Sequence, residues 1–128
     1  MTAARSPSVL GLDHVSVVIA DLEASARFYG EILGLRPVER PDLGFPGLWY
    51  DLGGGQTLHL LGVPNPDATE RRVRGGRDRH LALRVCGLEA LLQRLENAGH
   101  SAERSQSGRP AAFVRDPDGN TVELIEAG

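Results

Sequence analysis

A single cysteine, Cys86, in 128 residues excludes an intramolecular disulfide. It sits in an apolar run, where a small core residue is expected. No apolar run approaches the ~20 residues of a membrane span, so no membrane partner is expected. Met1 to Ser8 holds one Arg and no apolar stretch, so it reads as a loose tail rather than a secretory leader. Net charge is -3, without the basic excess that nucleic acid selects, so no nucleic-acid partner is expected. These absences leave a cytoplasmic, reduced protein as the expectation. The composition, 41% hydrophobic, is enough for one domain with one sizeable core.

The chain reads as two similar halves around a connector. Leu12 to Ile19, rich in Val and Ile, predicts a strand. Asp21 reads as an N-cap, and Leu22, Ala26, Tyr29 and Leu33 share a helical face ended by Gly34. Strands are predicted at Leu35 to Arg40, Gly47 to Leu52 and Gln56 to Leu61. Val63 to Asp78 then opens on Pro64-Asn-Pro-Asp and continues through an Arg cluster from Arg71 to Arg79, which reads as a solvated connector. His80 to Val85 is again a strand. Leu88, Leu91, Leu92 and Leu95 share a helical face stopped by Gly99. Strands follow at Ala102 to Arg104, Ala111 to Arg115 and Thr121 to Ile125, the last two joined by the tight turn Asp116-Pro-Asp-Gly-Asn. His100, just after Gly99, reads as a surface residue.

The halves repeat. His14 and His80 lie 66 residues apart, each opening a strand that leads to a helix, and Leu22-Glu-Ala recurs as Leu88-Glu-Ala. Gly55-Gln-Thr-Leu-His-Leu-Leu aligns with Gly119-Asn-Thr-Val-Glu-Leu-Ile at an offset of 64. The fold class predicted is α+β, two β-α-β-β-β modules in tandem: module one over 9–62, connector 63–78 and module two over 79–126, after a tail of 1–8. Side chains alternate across a strand. In four of the strands one face is apolar, and the other carries His14, His59, His80 or Glu123. A carboxylate inside a fold is costly unless it is paired or binds a metal. A pseudo-twofold between the modules would let these four residues converge. Two His and a carboxylate suit Fe(II), Zn, Mn, Co or Ni rather than Ca or Mg, which prefer oxygen shells.

At these residues the chain resembles the vicinal oxygen chelate superfamily, which includes glyoxalase I, bleomycin-resistance proteins, fosfomycin-resistance enzymes, extradiol dioxygenases and methylmalonyl-CoA epimerase. The resemblance runs from about Val9 to Glu126. It rests on Leu12-Asp-His-Val-Ser-Val-Val-Ile-Ala-Asp-Leu, Ser25-Ala-Arg-Phe-Tyr-Gly-Glu-Ile-Leu-Gly-Leu and Asp116-Pro-Asp-Gly-Asn-Thr-Val-Glu-Leu-Ile-Glu. It implies a half-open cavity around one divalent metal held by His14, His80, Glu123 and His59, completed within one chain or across a homodimer. It also implies a small-molecule substrate chelated through two adjacent oxygens, with Glu123 and His59 as the catalytic groups.

Three activities fit the resemblance. A glyoxalase-like lyase or isomerase would use Glu123 as ligand and base and His59 as fourth ligand or second acid/base. Glyoxalase I itself usually has a carboxylate where His59 stands and an Arg where Val18 stands, which speaks against glutathione as cosubstrate. An Fe(II) extradiol dioxygenase would use His14, His80 and Glu123 as a facial triad, with His59 moving protons. A drug-binding resistance protein would need no metal. A fosfomycin transferase ranks lower, because Ala111 and Ala112 replace the polar and aromatic anion-binding residues of such enzymes. The substrate-binding candidates are Arg84, which shares the face of His80, then Phe113, Arg115 and Trp49. Trp49 and Tyr50 are adjacent, so only one of them faces the cavity.

Overall fold

Alternating strands give each half a sheet with one dry face, and the computed structural model, which describes residues 6–127, shows both sheets. The first contains β1 (His14–Val18), β2 (Arg36–Val38), β3 (Gly47–Gly53) and β4 (Gln56–Leu61), in the order β1-β4-β3-β2. The second contains β5 (His80–Val85), β6 (Glu103–Arg104), β7 (Ala111–Arg115) and β8 (Thr121–Glu126), in the order β5-β8-β7-β6. In each sheet the first strand pairs parallel to the last, and the other pairings are antiparallel. The two mixed sheets and their helices form an α+β fold of tandem modules. Of the predicted tail, residues 1–5 lie outside the described range, and 6–8 have no regular structure. Among the described residues no helix is long and apolar enough to cross a membrane.

Each sheet is backed by one helix. Asp21 caps α1 (Leu22–Ala26) by accepting from the Glu23 and Ala24 amides at 2.9 and 3.2 Å. The helix widens into a π turn over Arg27–Ile32, with the Leu33 amide reaching back five residues to the Phe28 carbonyl. Phe28 and Tyr29 are both fully buried from this turn. Gly34, at φ 76°, supplies the left-handed stop. α2 (Leu88–Asn97) has no capping side chain at Gly87. Glu126 of β8 substitutes, accepting from the Gly87 and Leu88 amides at 3.1 and 3.0 Å.

One core runs through both modules. Tyr29, Tyr50, Leu58 and Leu60 join Leu91, Leu95, Val122 and Leu124. The turn after β7 adds a polar seam. Tyr29 donates its hydroxyl to Asp116 at 2.7 Å, the Ala20 amide donates to Asp118 at 3.0 Å, and Asn120 donates to the Val18 carbonyl at 3.0 Å. Burial, then the Asp116 charge, raise the Tyr29 pKa well above that of an ordinary phenol, so it stays a donor. What reads in sequence as a tight turn is therefore also a clasp between modules.

Three expectations need correction. Cys86 is exposed, because β5 ends at Val85 and the chain bends there toward Gly87. His100 is half-buried rather than on the surface, its ring edge-on to Phe28 at 5.0 Å. The connector is only partly solvated. Arg71 binds Asp78 at 2.8 Å and the Gly119 carbonyl at 2.9 Å, which ties the connector to module two.

Candidate metal and substrate site

The two sheets carry their polar residues in the same register. His14 lies beside Thr57 and Ser16 beside His59. In the second sheet His80 lies beside Thr121 and Ala82 beside Glu123. Trp49 is the cross-strand neighbour of His59, and Phe113 that of Glu123. The repeat thus sets one pattern twice: two potential donors on paired strands, walled by an aromatic.

The first half-site is a stack of rings. His59 lies between His14, at 4.1 Å and 13°, and Trp49, at 4.0 Å and 4°. Trp49 therefore occupies the open face, and Tyr50, 2% exposed, belongs to the core. His14 Nδ1 sits 2.8 Å from Asp13 Oδ2. A carboxylate accepts, so Nδ1 carries the hydrogen and Nε2 presents a lone pair. His59 Nε2 contacts Thr57 Oγ1 at 2.9 Å, leaving Nδ1 as its free nitrogen. Burial, followed by the neighbouring His14, lowers the His59 pKa, so this ring is neutral at pH 7.

The second half-site is an imidazole facing a carboxylate. His80 Nδ1 lies 2.8 Å from the Asp78 carbonyl oxygen, which can only accept. Its Nε2 is then the lone-pair nitrogen of the neutral ring. That nitrogen faces Glu123 Oε1 at 3.2 Å. Two acceptors at this distance need a proton or a cation between them. Glu123 is 8% exposed, so little water is there to help.

His14 meets His59 and His80 meets Glu123, but no three His, Cys, Asp or Glu side chains gather in a metal-binding group among the described residues.

The substrate-binding candidates have different fates. Phe113 stands edge-on to His80 at 5.3 Å. Its outer side is covered by Gly75 and Gly76, where a Cβ would come within 2.7 and 3.2 Å of the Phe113 side chain. Arg115 departs from its expected role. Its guanidinium donates to Asp78 at 2.7 Å, to Thr121 at 2.9 Å and to the carbonyls of Gly119 and Val73 at 2.9 and 2.6 Å. Through Nη1 and Nη2 it anchors the connector. Burial pushes the Asp78 pKa up, but hydrogen bonds from Arg115 and Arg71 outweigh it and hold the carboxyl below the usual range. Arg84 is exposed and makes no ion pair or side-chain hydrogen bond among the described residues.

Sequence reasoning missed Asp13 and Asp78 as partners of the histidines. For His14 the available signal was the aspartate just before it, whereas the partner of His80 is a backbone carbonyl that no residue type announces.

A family model, the Glyoxalase/Bleomycin resistance protein/Dioxygenase superfamily, matches residues 11–124. The chain belongs to this superfamily. Among glyoxalase-superfamily relatives, Glyoxylase I 4 of Arabidopsis thaliana is 31% identical, covering 88% of this chain and 68% of its own. The mitochondrial methylmalonyl-CoA epimerase of Homo sapiens is 28% identical over 91% of this chain and 73% of its own. A glyoxalase family protein from Bacillus anthracis, solved by crystallography, superimposes with a TM-score of 0.76 at 25% identity, covering 97% of this chain and all of that one.

Proposed function

We propose that this superfamily member is a divalent-metal-dependent enzyme of glyoxalase type, a lyase or isomerase acting on a small oxygen-rich molecule. The observation that carries this reading is the His80–Glu123 contact. A lone pair fixed toward a largely buried carboxylate at 3.2 Å fits a cation. The imidazole and carboxylate donors suit Zn, Ni, Mn, Co or Fe. His14, His80 and Glu123 would hold the ion, with His59 as fourth ligand or proton carrier. When bound, such an ion supplies Lewis acidity toward two adjacent substrate oxygens.

The chain's own groups supply the proton chemistry. Glu123 takes a proton from the carbon beside a substrate carbonyl and returns it. His59, neutral at pH 7, accepts or delivers a proton at a substrate oxygen through Nδ1. Trp49 and Phe113 flank the two half-sites and exclude water from the reacting atoms. β1 and β5, which carry His14 and His80, are both sheet edges. Module one of one copy would face module two of another, so the working unit would be a homodimer.

Metal analysis of the purified, metal-loaded protein tests this reading, with His14→Ala and Glu123→Ala as controls. Both variants are expected to lose most of the bound metal. Unchanged content in both refutes the site.

The Trp49–His59–His14 stack favours a second reading, a binding protein for a flat aromatic molecule such as a drug. Trp49 is the sole tryptophan. Quenching of its fluorescence by bleomycin in the presence of chelator, unaffected by His80→Ala, would support this reading over the first.

A further inference from the structure

Asp78 ends the connector two residues before His80, and it is bonded through side chain and backbone at once. Its Oδ2 accepts from Arg71 Nε at 2.8 Å, from Arg115 Nη1 at 2.7 Å and from the Thr121 hydroxyl at 3.3 Å. Its Oδ1 accepts from the Arg79 amide at 2.9 Å. Its backbone carbonyl accepts from His80 Nδ1 at 2.8 Å. The Asp78 carbonyl and the Arg79 N–H belong to one planar peptide group. A carboxylate that holds the N–H therefore also sets where the carbonyl points.

The carboxylate is itself firmly held. Two guanidiniums converge on one oxygen, and charge-assisted bonds of this kind are roughly twice as strong as neutral ones. The Asp78 side chain is 6% exposed, so salt and water screen these pairs little. Both arginines are fixed in turn, Arg71 by the carbonyls of Ala68 and Gly119, and Arg115 by those of Val73 and Gly119. Module one lacks the residues for such a hub. The repeat offset of 66 puts Leu12 at the position of Asp78, and the offset of 64 puts Asp51 at that of Arg115. His14 has the Asp13 carboxylate instead, with 90% of that side chain in water.

We propose that Asp78, clamped by Arg115 and Arg71, is a positioning residue for His80: its carboxylate fixes the 78–79 peptide, and that peptide fixes the ring. The purpose of this device rests on the metal reading, since a fixed Nδ1 bond aims Nε2 at the ion. The positioning itself needs no metal and is measured without it.

Asp78→Ala removes the carboxylate and leaves the backbone carbonyl that His80 uses. Two readouts follow it: solvent exchange of the His80 Nδ1–H by NMR in the metal-free protein, and Zn affinity by competition with a chromophoric chelator. Asp78→Ala is expected to speed the exchange about tenfold and to weaken Zn binding about tenfold. Asp78→Asn, whose oxygen still accepts from the Arg79 amide, should recover much of both. Arg115→Gln, which leaves Arg71 on the carboxylate, should fall between wild type and Asp78→Ala, and it becomes the deciding variant if Asp78→Ala does not fold. Tyr29→Phe loosens the clasp without touching the hub, so it should change neither readout and controls for lost stability alone. Unchanged exchange and affinity in the deciding variant, or equal changes in Tyr29→Phe, would overturn the proposal. Exchange that responds as expected in a protein that binds no Zn would refute the metal reading and leave the positioning standing.

Discussion

Asp13 and the Asp78 carbonyl do the same work on two histidines, one as a charge and one as a dipole. Each accepts from Nδ1 and so points the Nε2 lone pair outward. The carboxylate is the more exposed aid, with 90% of its side chain in water, so its effect belongs at the lower end for such partners. Asp13→Ala is expected to weaken metal binding about tenfold, and Asp13→Asn, whose carbonyl still accepts, to recover much of that. Competition against a chromophoric chelator reads both values. Affinity unchanged in Asp13→Ala would mean that His14 is oriented without its neighbour. The four candidate ligands were legible in sequence because each interrupts an apolar alternation. Their orienting partners were not, since an aspartate next to a histidine commits no side chain to a hydrogen bond until the backbone is placed. Arg115 shows a complementary limit. Alternation placed it beside Phe113, but acceptors from the distant connector engage its Nη1 and Nη2.

Helices, strands and their faces followed from periodicity, and β4, β5 and β7 have the predicted limits. The turn at Asp116 shows where local reading ends. Its Pro, Gly and Asn explain a bend, while its burial depends on Tyr29, 87 residues away. Removing that hydroxyl by Tyr29→Phe leaves Asp116 its bonds from Asp118 and Asn120, so a loss of about 1–2 kcal/mol in urea denaturation is expected. A loss near zero would show that the clasp aligns the modules without stabilising them. Asp118 in the same element gives a pH signature. Burial raises its pKa, the Ala20 amide opposes this, and the Asp116 and Asp21 charges raise it further. The folded chain therefore holds this proton more tightly than the unfolded chain. The resulting stability is full below the ordinary Asp pKa, about 3.9, and is lost as pH rises through the folded value. At pH 7 the carboxylate is a burden. Asp118→Asn keeps an oxygen for the Ala20 amide, so it should be more stable than wild type at neutral pH, with the gap closing toward pH 3. Denaturation midpoints across that range decide, and a gap independent of pH counts against the assignment.

At the scale of the whole molecule, duplication has given each module its own pair of candidate ligands. The modules share a core through their helices, β1 and β5 are sheet edges, and no three of the candidate ligands gather in a metal-binding group among the described residues. Pairing of two copies would bring His14 and His59 of one to the His80 and Glu123 of the other, and would do so twice by symmetry. This arrangement has a consequence that a site within one chain cannot share. His14→Ala spoils only module one, and Glu123→Ala spoils only module two. Each variant alone has no intact site. After dissociation and reassociation of an equal mixture, half of the dimers should contain one chain of each kind. Each mixed dimer then holds one site with all four native residues and one with both substitutions. The mixture should therefore regain about one quarter of the wild-type metal capacity, and the same share of any activity. Equilibrium dialysis against Zn or Ni measures that fraction directly, without knowledge of the substrate. A mixture that binds no more metal than its separate components, while chain exchange is verified by mass-tagged heterodimers, would place the ligands in a single chain and overturn the paired-copy arrangement.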